Sequence, residues 1–479
     1  MIPPVTALLE SQTLERVVVT YLEPGMEVFH RLHVEYYQAI IATAHGESIY
    51  GLFVLLNTLI MILISNSFRE SDDRNSYLKS CIRDENRNKD YLIWYSVENE
   101  YRDYLCAENA DAFLLLALMV AIQSHQDIKV EAPVSRKLLF NLNNYVIPLF
   151  TKIIPNGQTI RIEAKETSTA VFDARGIGCG CSMGVDSLSA LYTHLDEGII
   201  DGYRVTHLAI FNSGHFGDID QEEADVAFYR GIEELRPLSE ELGLPIVAVN
   251  TNLNEFFWGS SFKYHLSRLI PSTISCVFAL QKLFEKYVFA SSNSIDEFKI
   301  VPLDHVIAEA AFVPVLSTES VEVILSCSTM TRVEKTDFVR SNPLTSKYLN
   351  VCWSYPLAFG RKHDRRYLDG KTRINCGWCP KCLRTLYTLE LLGEDIGKYG
   401  NLFDIDKYYQ HKQGFIENVY LNRNKDELYN EIYDLMVKTK QNKLPFRVYI
   451  KELFLWLRGI STKINKHSRR LIKRCFSWI

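Results

Sequence analysis

The sequence predicts an α/β protein built on a doubly wound parallel sheet, and three observations carry that expectation. From about residue 175 short apolar strands alternate with amphipathic helices: GIGCGC before DSLSALYTHLDEG, THLAIF before EEADVAFYRGIEELRPLSEELG, PIVAVNT before STISCVFALQKLFEKY, and then VFASS. Alternation of this kind implies βαβ crossovers, which cover a parallel sheet with helices on both faces. The strand-to-helix junctions are small and polar, as in NSGHFGD after THLAIF, and ligands of such sheets bind at those junctions. The chain also has 479 residues, 47% of them hydrophobic, enough for two or three domains with cores of their own.

Three regions follow, 1–165, 166–395 and 396–479. In the first, a charged segment at 69–90 (RESDDRNSYLKSCIRDENRNKD) is expected to be a loop. YLIWYSV then predicts a strand, and DAFLLLALMVAIQSH a buried helix with Asp111 as its acidic N-cap. DIKVEAPV predicts a strand, Ser135 a cap for the amphipathic helix SRKLLFNLNNYVIPLF, and the alternating TIRIEAKE a half-exposed strand. Together they make a small α+β domain. The stretch SIYGLFVLLNTLIMILISNSF at 48–68 has no charged residue and is long enough to cross a bilayer. Asn57, Thr58, Ser65 and Asn66, and the lack of a basic flank beside Glu47, favour a buried core helix instead. Past residue 395 the pattern is helical and increasingly basic. From Lys438 onward Glu452 is the single acid among many lysines, arginines and aromatic residues. Such a tail suits an ordinary solvated helical surface, or contact with anionic membrane or nucleic acid.

A net charge of −5 gives no reason to expect nucleic-acid binding by the whole molecule. The positions of the eleven cysteines do not suggest a disulfide framework; three of them cluster, which points to a reducing compartment and a metal site. The N-terminus lacks a basic start, an apolar stretch and a small-residue cleavage site, so a cytoplasmic protein is expected.

Two motifs carry chemistry. CSMGVDS, 181–187, lies between the first strand and its helix. A helix N-terminus there offers unpaired amides and the positive end of the helix dipole, which suits an anion. Ser182 and Ser187 add hydroxyl donors, and Gly184 allows close approach or a positive φ. Asp186 suits a phosphate site once a Mg²⁺ is present. The bland alternative is a Ser/Gly/Asp turn that caps a helix. The second motif is NCGWCPKCLRT, in which Cys376, Cys379 and Cys382 can direct three thiolates at one tetrahedral metal. Cys352 is the first choice for the fourth ligand, ahead of His363 and Cys327. Lys381 and Arg384 would offset the negative charge of a four-thiolate Zn²⁺ site. Cys81, Cys106 and Cys276 suit buried apolar positions, the alternative reading for any cysteine.

SMGVDS resembles the SGGxDS pyrophosphate loop of the PP-loop ATP pyrophosphatases, the adenine nucleotide alpha hydrolase-like family, with Met183 where that family has its first glycine. The cysteine cluster is similar to the zinc element of its cyano-deazaguanine synthase branch, in queuosine biosynthesis, where a further cysteine lies near a Trp-Ser pair. Here Cys352 precedes Trp353-Ser354 and lies 24 positions before Cys376. SCSTMTRVEKTDFVRSNP is similar to the segment in which a lysine and an acid open a helix after a strand. NCxxCxKCxRT, with a DAFLLL-type helix at 111–116 and PVSxxLLxNL at 133–142, also resembles a less characterised branch. The resemblance spans about residues 95–395.

It implies a HUP/Rossmann-like fold and an ATP-dependent, AMP-forming ligase or amidating enzyme that uses ATP, Mg²⁺ and Zn²⁺. Residues 182–187, including Met183 and Val185, would hold the β and γ phosphates, with Asp186 and Ser187 catalytic. Ser213, Gly214 and His215 would border the adenosine; His215 also fits a surface turn. Arg332 and Lys335 would contact phosphates or open a solvated helix. An alternative function is an ATP-binding sensor or interaction protein with reduced turnover, which Met183 favours. The partners expected are a small-molecule or peptide substrate, an ammonia-donating protein and a second copy of the chain.

Overall fold

The computed structural model describes residues 60–196, 198–216, 221–259, 265–352 and 374–442, with a few positions up to 452. Residues 48–59 of the apolar run, His363, Trp353, Ser354 and most of the basic tail lie outside the described residues. Eleven strands form one sheet: β1 (Met61–Ile64), β2 (Phe68–Ser71), β3 (Asn75–Asp84), β4 (Lys89–Glu98), β5 (Asp127–Ser135), β6 (Ile162–Ser168), β7 (Gly176–Gly180), β8 (His207–Phe211), β9 (Ile246–Thr251), β10 (Phe284–Ala290) and β11 (Glu322–Ser326). Their order is β11-β10-β7-β8-β9-β4-β3-β1-β5-β6, with β2 beside β3. The first five of that order pair in parallel, so the protein is α/β with a mostly parallel central sheet. β4 joins it antiparallel to β9, and the strands before residue 170 continue the sheet and share its core.

The central strands bury both faces, as parallel strands between helical layers must. Ala209 and Phe211 of β8 and Tyr287 of β10 pack on one face, with helices α1 (Asp111–Ser124) and α4 (His265–Ala279). Leu208, Ile210 and Val288 pack on the other, with α2 (Val185–Thr193) and α3 (Gln221–Leu242). The second face also holds the helices of the C-terminal half: α5 (Arg332–Arg340), α6 (Pro380–Leu391), α7 (Ile405–Asn422) and α8 (Glu427–Lys438).

β7 explains its own glycines. A Cβ on Gly178 would lie 2.7 Å from Cε1 of Phe284, and one on Gly180 would lie 2.7 Å from Oη of Tyr287. The strand is therefore bare on one face so that two aromatic rings of β10 can rest on it. A bulge between Phe284 and Lys286 brings both rings to that face.

Several expectations change. Residues 69–90 are not a loop: β2, β3 and a short 3₁₀ turn occupy most of them. The inward positions of β3 include Ser76, Ser80 and Asp84, so its alternation carries few apolar residues. The serines are satisfied locally, Ser80 Oγ donating to Ser65 O at 2.9 Å and Ser76 Oγ to Asn99 Oδ1 at 2.7 Å. Within the apolar run, Met61–Ile64 is a strand between β3 and β5 rather than part of a core helix, since a short apolar run has no period that separates the two. No described helix is long and apolar enough to cross a membrane. FEKY, expected to close a helix, begins β10, because the aromatic packing on β7 overrides local propensity. Ser135 stands at the N-cap of Arg136–Asn141 without a side-chain cap bond.

Asp111, by contrast, is not the N-cap of α1: Ala110 holds that position, and Asp111 is fully buried in the first turn. Its Oδ1 accepts from the Ser135 amide at 2.9 Å and its Oδ2 from Gln281 Nε2 at 3.0 Å, tying α1 to β5 and to the end of α4. Burial pushes this carboxyl up to about 6 from an ordinary 3.8. The folded state then holds an extra proton between those values, so Asp111 makes stability fall as pH rises from about 4 to about 6. Asp111→Asn is expected to remove that slope, about 1–3 kcal/mol across the window, when urea unfolding of both proteins is compared at pH 4.5 and 7.

Candidate functional site

The candidate site lies where β7 ends. Its neighbours on the two sides, β8 and β10, reach it by crossovers that run in opposite directions, and a crevice at such a switch point is where α/β sheets bind ligands. Met183, Gly184, Val185, Asp186 and Ser187 turn the chain from β7 into α2. Gly184 is the N-cap with φ −76°, so it does not use the positive φ that a glycine permits. Met183 takes that role instead: its φ is 57°, its side chain is buried, and its carbonyl accepts from the Asn350 amide at 2.8 Å. A left-handed conformation costs a residue with a Cβ about 1–2 kcal/mol, and strain of this kind clusters at functional loops. Ser182 is exposed and its Oγ lies 3.2 Å from Ser187 Oγ, which donates to Gly184 O at 3.1 Å. The first-turn amides of Val185, Asp186 and Ser187 have no carbonyl within the helix to bind.

Asp186 faces cations. Arg332 Nη2 lies 2.8 Å from its Oδ2 and Lys335 Nζ 3.7 Å from its Oδ1, both from the first turns of α5. That helix starts where β11 ends, with a capping box between Thr331 and Glu334. Lys335 is fully buried, so the solvated-helix alternative does not hold for it. The same two side chains grip the loop after β10: Lys335 Nζ donates to Ser291 O at 2.7 Å and Arg332 Nη2 to Ser292 O at 3.0 Å. Glu309 holds that loop from beneath, its Oε1 accepting from Ser291 Oγ (2.8 Å), Ser292 N (2.7 Å) and Asn293 N (3.0 Å). Burial pushes Glu309 up to about 7. Lys381 and Arg384, half-buried on α6, also act on Asp186 and Arg332. Burial, and then Arg332 beside them, push Lys381 down to about 8 and Arg384 to about 10.

The four cysteines chosen from the sequence come together. The sulfurs of Cys352, Cys376, Cys379 and Cys382 lie within 4.8 Å of one another, and all four residues are buried. Two pairs, Cys352–Cys379 and Cys376–Cys382, are 3.9 Å apart. Tetrahedral zinc with bonds of about 2.3 Å separates its sulfurs by about 3.8 Å, so the cluster fits such an ion. Amides of Cys376, Cys379 and Cys382 donate to the sulfurs of Cys352 (3.4 Å), Cys376 (3.2 Å) and Cys379 (3.5 Å), as thiolates require. The Cys352 thiol, followed by Cys379 and Cys382, holds Cys376 well below the ordinary thiol range. Cys327 is elsewhere, 3.4 Å from Thr193 Oγ1. The groups that act most on Lys381 are Arg332, Arg384 and Asp186, ahead of Cys379.

At the end of β8, Gly214 has a φ of 98° and Ser213 is buried with its Oγ 3.2 Å from Thr273 Oγ1. His215 is exposed, with Nε2 3.0 Å from the same Thr273 oxygen. Sequence reasoning missed the polar network beside them. Asn212 Nδ2 donates to Asp225 Oδ1 at 2.9 Å and to Asn250 Oδ1 at 2.8 Å, and Asn212 Oδ1 is buried without a hydrogen-bond partner. The available signal was an asparagine near the end of two successive apolar strands. Glu309 was missed as well, and the segment AEAAF carries no signal for it. No family model, curated protein or solved structure matches the chain.

Proposed function

We propose that the chain binds ATP at the β7–α2 loop and uses it as a PP-loop ATP pyrophosphatase of HUP type, activating a carboxylate or carbonyl oxygen by adenylation. A substrate oxygen attacks the α phosphorus, the bond to the bridging oxygen breaks, and pyrophosphate leaves. An amine or ammonia then displaces AMP. The observation that supports this reading best is the meeting of a strand-to-helix turn with Arg332 and Lys335 at a sheet switch point. Amides of the first turn and two cations are what a departing pyrophosphate needs. Asn212, Ser213 and Gly214 offer hydrogen bonds one strand away, where the adenosine would lie. Among the described residues no cluster of three carboxylates or imidazoles gathers at Asp186. Its partners are Arg332 and Lys335, and Mg²⁺, which one carboxylate can help to hold beside the phosphates, would enter with the nucleotide.

The test is equilibrium binding of MgATP together with pyrophosphate release. Gly184→Val adds bulk to the loop at a φ that valine accepts, where a Cβ would meet Ser182 Oγ at an ordinary 3.4 Å. It is expected to weaken MgATP binding at least tenfold while the thermal midpoint moves by only a few degrees. A wild-type protein that fails to bind MgATP at millimolar concentration would overturn the proposal. Met183, strained and buried, favours a second reading, a nucleotide sensor. Tight MgATP binding with no substrate-dependent pyrophosphate release would select it.

A further inference from the structure

We propose that Glu309 is a positioning residue for the pyrophosphate seat, and that it sets Lys335 and Arg332 in place through two peptide units of the loop after β10. The inference rests on the nucleotide reading above and adds to it the group that aims its two cations. The peptide between Ser291 and Ser292 gives its oxygen to Lys335 Nζ at 2.7 Å and its N–H to Glu309 Oε1 at 2.7 Å. The next peptide, between Ser292 and Asn293, gives its oxygen to Arg332 Nη2 at 3.0 Å and its N–H to the same Glu309 oxygen at 3.0 Å. A trans peptide is planar, and its C=O and N–H point in opposite directions. An acceptor that fixes the N–H on one side therefore fixes where the C=O points on the other. Two consecutive peptides thus bridge one carboxylate oxygen to two cations, one each. Each bridge runs from a carboxylate through an amide to a cation, an order of dipoles in which one hydrogen bond strengthens the next.

Glu309 is itself held firmly. It opens a short helix, Glu309–Phe312, and its carbonyl accepts from the Val313 amide at 2.9 Å. Phe312, Val313 and Leu316 are fully buried in the core beside it. The loop is fixed at its two ends, where Ser291 N bonds Ser326 O at 3.0 Å and Ile295 N bonds Ser328 O at 2.7 Å. Between those anchors the two bridging peptides take their direction from Glu309. The carboxylate is also used on one side only: Oε1 accepts three donors, counting Ser291 Oγ at 2.8 Å, while Oε2 is buried without a hydrogen-bond partner. A buried acceptor left unpaired costs stability, so packing alone gives no reason for a carboxylate at this place. Aiming two cations does. Lysine and arginine side chains lose rotamer freedom when they engage an anion, and a cation already held in position has less to lose. Asp186 meets the same two cations directly; Glu309 reaches them through main chain.

Two conservative substitutions separate reach from charge. Glu309→Asp keeps the charge and withdraws the carboxylate by one methylene, about 1.5 Å, too far to bond both amides. Glu309→Gln removes the charge and keeps an oxygen that can take the place of Oε1. The experiment uses the full chain at pH 8, above the value of about 7 to which burial pushes Glu309. MgATP and inorganic pyrophosphate are the probes in calorimetric titration, at a temperature where thermal unfolding shows each protein to be folded. Glu309→Asp is expected to weaken binding of both probes at least fivefold, and Glu309→Gln to keep at least a third of the wild-type affinity. A role confined to stability would lower the thermal midpoint and leave the affinity of the folded protein unchanged. Glu309→Asp that binds both probes within twofold of the wild type would therefore overturn the proposal while leaving the nucleotide site intact. A loss of more than threefold in Glu309→Gln would overturn it too, because charge and not reach would then be the cause, and that outcome decides even where Glu309→Asp does not fold. A wild-type protein that binds neither probe would overturn the nucleotide reading and this inference with it.

Discussion

Asp186→Ala is expected to lower the unfolding free energy by about 3 kcal/mol, before any effect on chemistry. Asp186 sits between Arg332 and Lys335, whose side chains are 18% and 0% exposed. Removing one partner of a buried ion pair leaves the other charges without compensation, and that penalty exceeds what the pair contributes when intact. Lys335 retains one bond, to Ser291 O. The change is read from urea unfolding midpoints at constant slope. Asp186→Asn keeps an acceptor facing Arg332 and is expected to lose less than half as much. Asp186→Ala combined with Lys335→Met is expected to be less destabilised than the two single changes summed, because the second removes the stranded charge. An alanine variant within 0.5 kcal/mol of the wild type, a margin typical of unremarkable surface changes, would show that the two cations do not depend on this carboxylate. The result bears on function, because loss of activity in Asp186→Ala mixes folding with catalysis. Asp186→Asn separates them.

Much of the parallel half was legible in the sequence because short apolar strands alternate with longer segments, of which α3 buries one face and exposes the other, a period that strands cannot imitate. The cysteine cluster was legible for a different reason: thiolates at spacings of three residues carry chemistry that packing rarely needs, and Cys352 was available upstream. β3 was hidden because serines and an aspartate occupy its inward positions, and Ser76 and Ser80 are satisfied by Asn99 and Ser65, partners that no local pattern reveals. Glu309 was hidden because its partners, Ser291 to Asn293, lie on another strand end and are brought to it only by the fold. The β7–α2 loop falls between these cases. Its position was legible, but the left-handed residue is Met183 and not Gly184. Composition names a glycine as the flexible position; the hydrogen bond from Asn350 to the Met183 carbonyl and the burial of its side chain decide otherwise.

Gly377→Ala is expected to do more damage than any other single methyl group added to the chain, lowering stability by at least about 4 kcal/mol. Gly377 lies between Cys376 and Cys379 with a φ of 78°, and a Cβ there would overlap the carbonyl oxygen of Asp404. The left-handed backbone alone costs alanine about 1–2 kcal/mol. The overlap cannot be relieved by a side-chain rotation, since the obstacle is main chain held on both sides. Asn375 N bonds Leu402 O at 2.9 Å, Asp404 N bonds Asn375 O at 3.2 Å, and Asp404 Oδ1 caps α7 by accepting from Lys407 N at 3.1 Å. Moving Asp404 away therefore loosens the start of α7, and moving Gly377 away displaces Cys376 and Cys379 from the metal. Structural zinc supplies about 10–16 kcal/mol of binding free energy in small zinc peptides at neutral pH, so a site that loses its geometry loses a large part of the folding free energy of its surroundings. The measurement is thermal unfolding with and without a chelator, alongside zinc affinity by competition with a chromophoric chelator. In the wild type the chelator is expected to lower the thermal midpoint. In Gly377→Ala the midpoint is expected to start low and respond little, with zinc bound at least tenfold more weakly. A variant that holds zinc as tightly as the wild type and melts within a degree of it would mean that residues 402–404 do not lie against the metal loop.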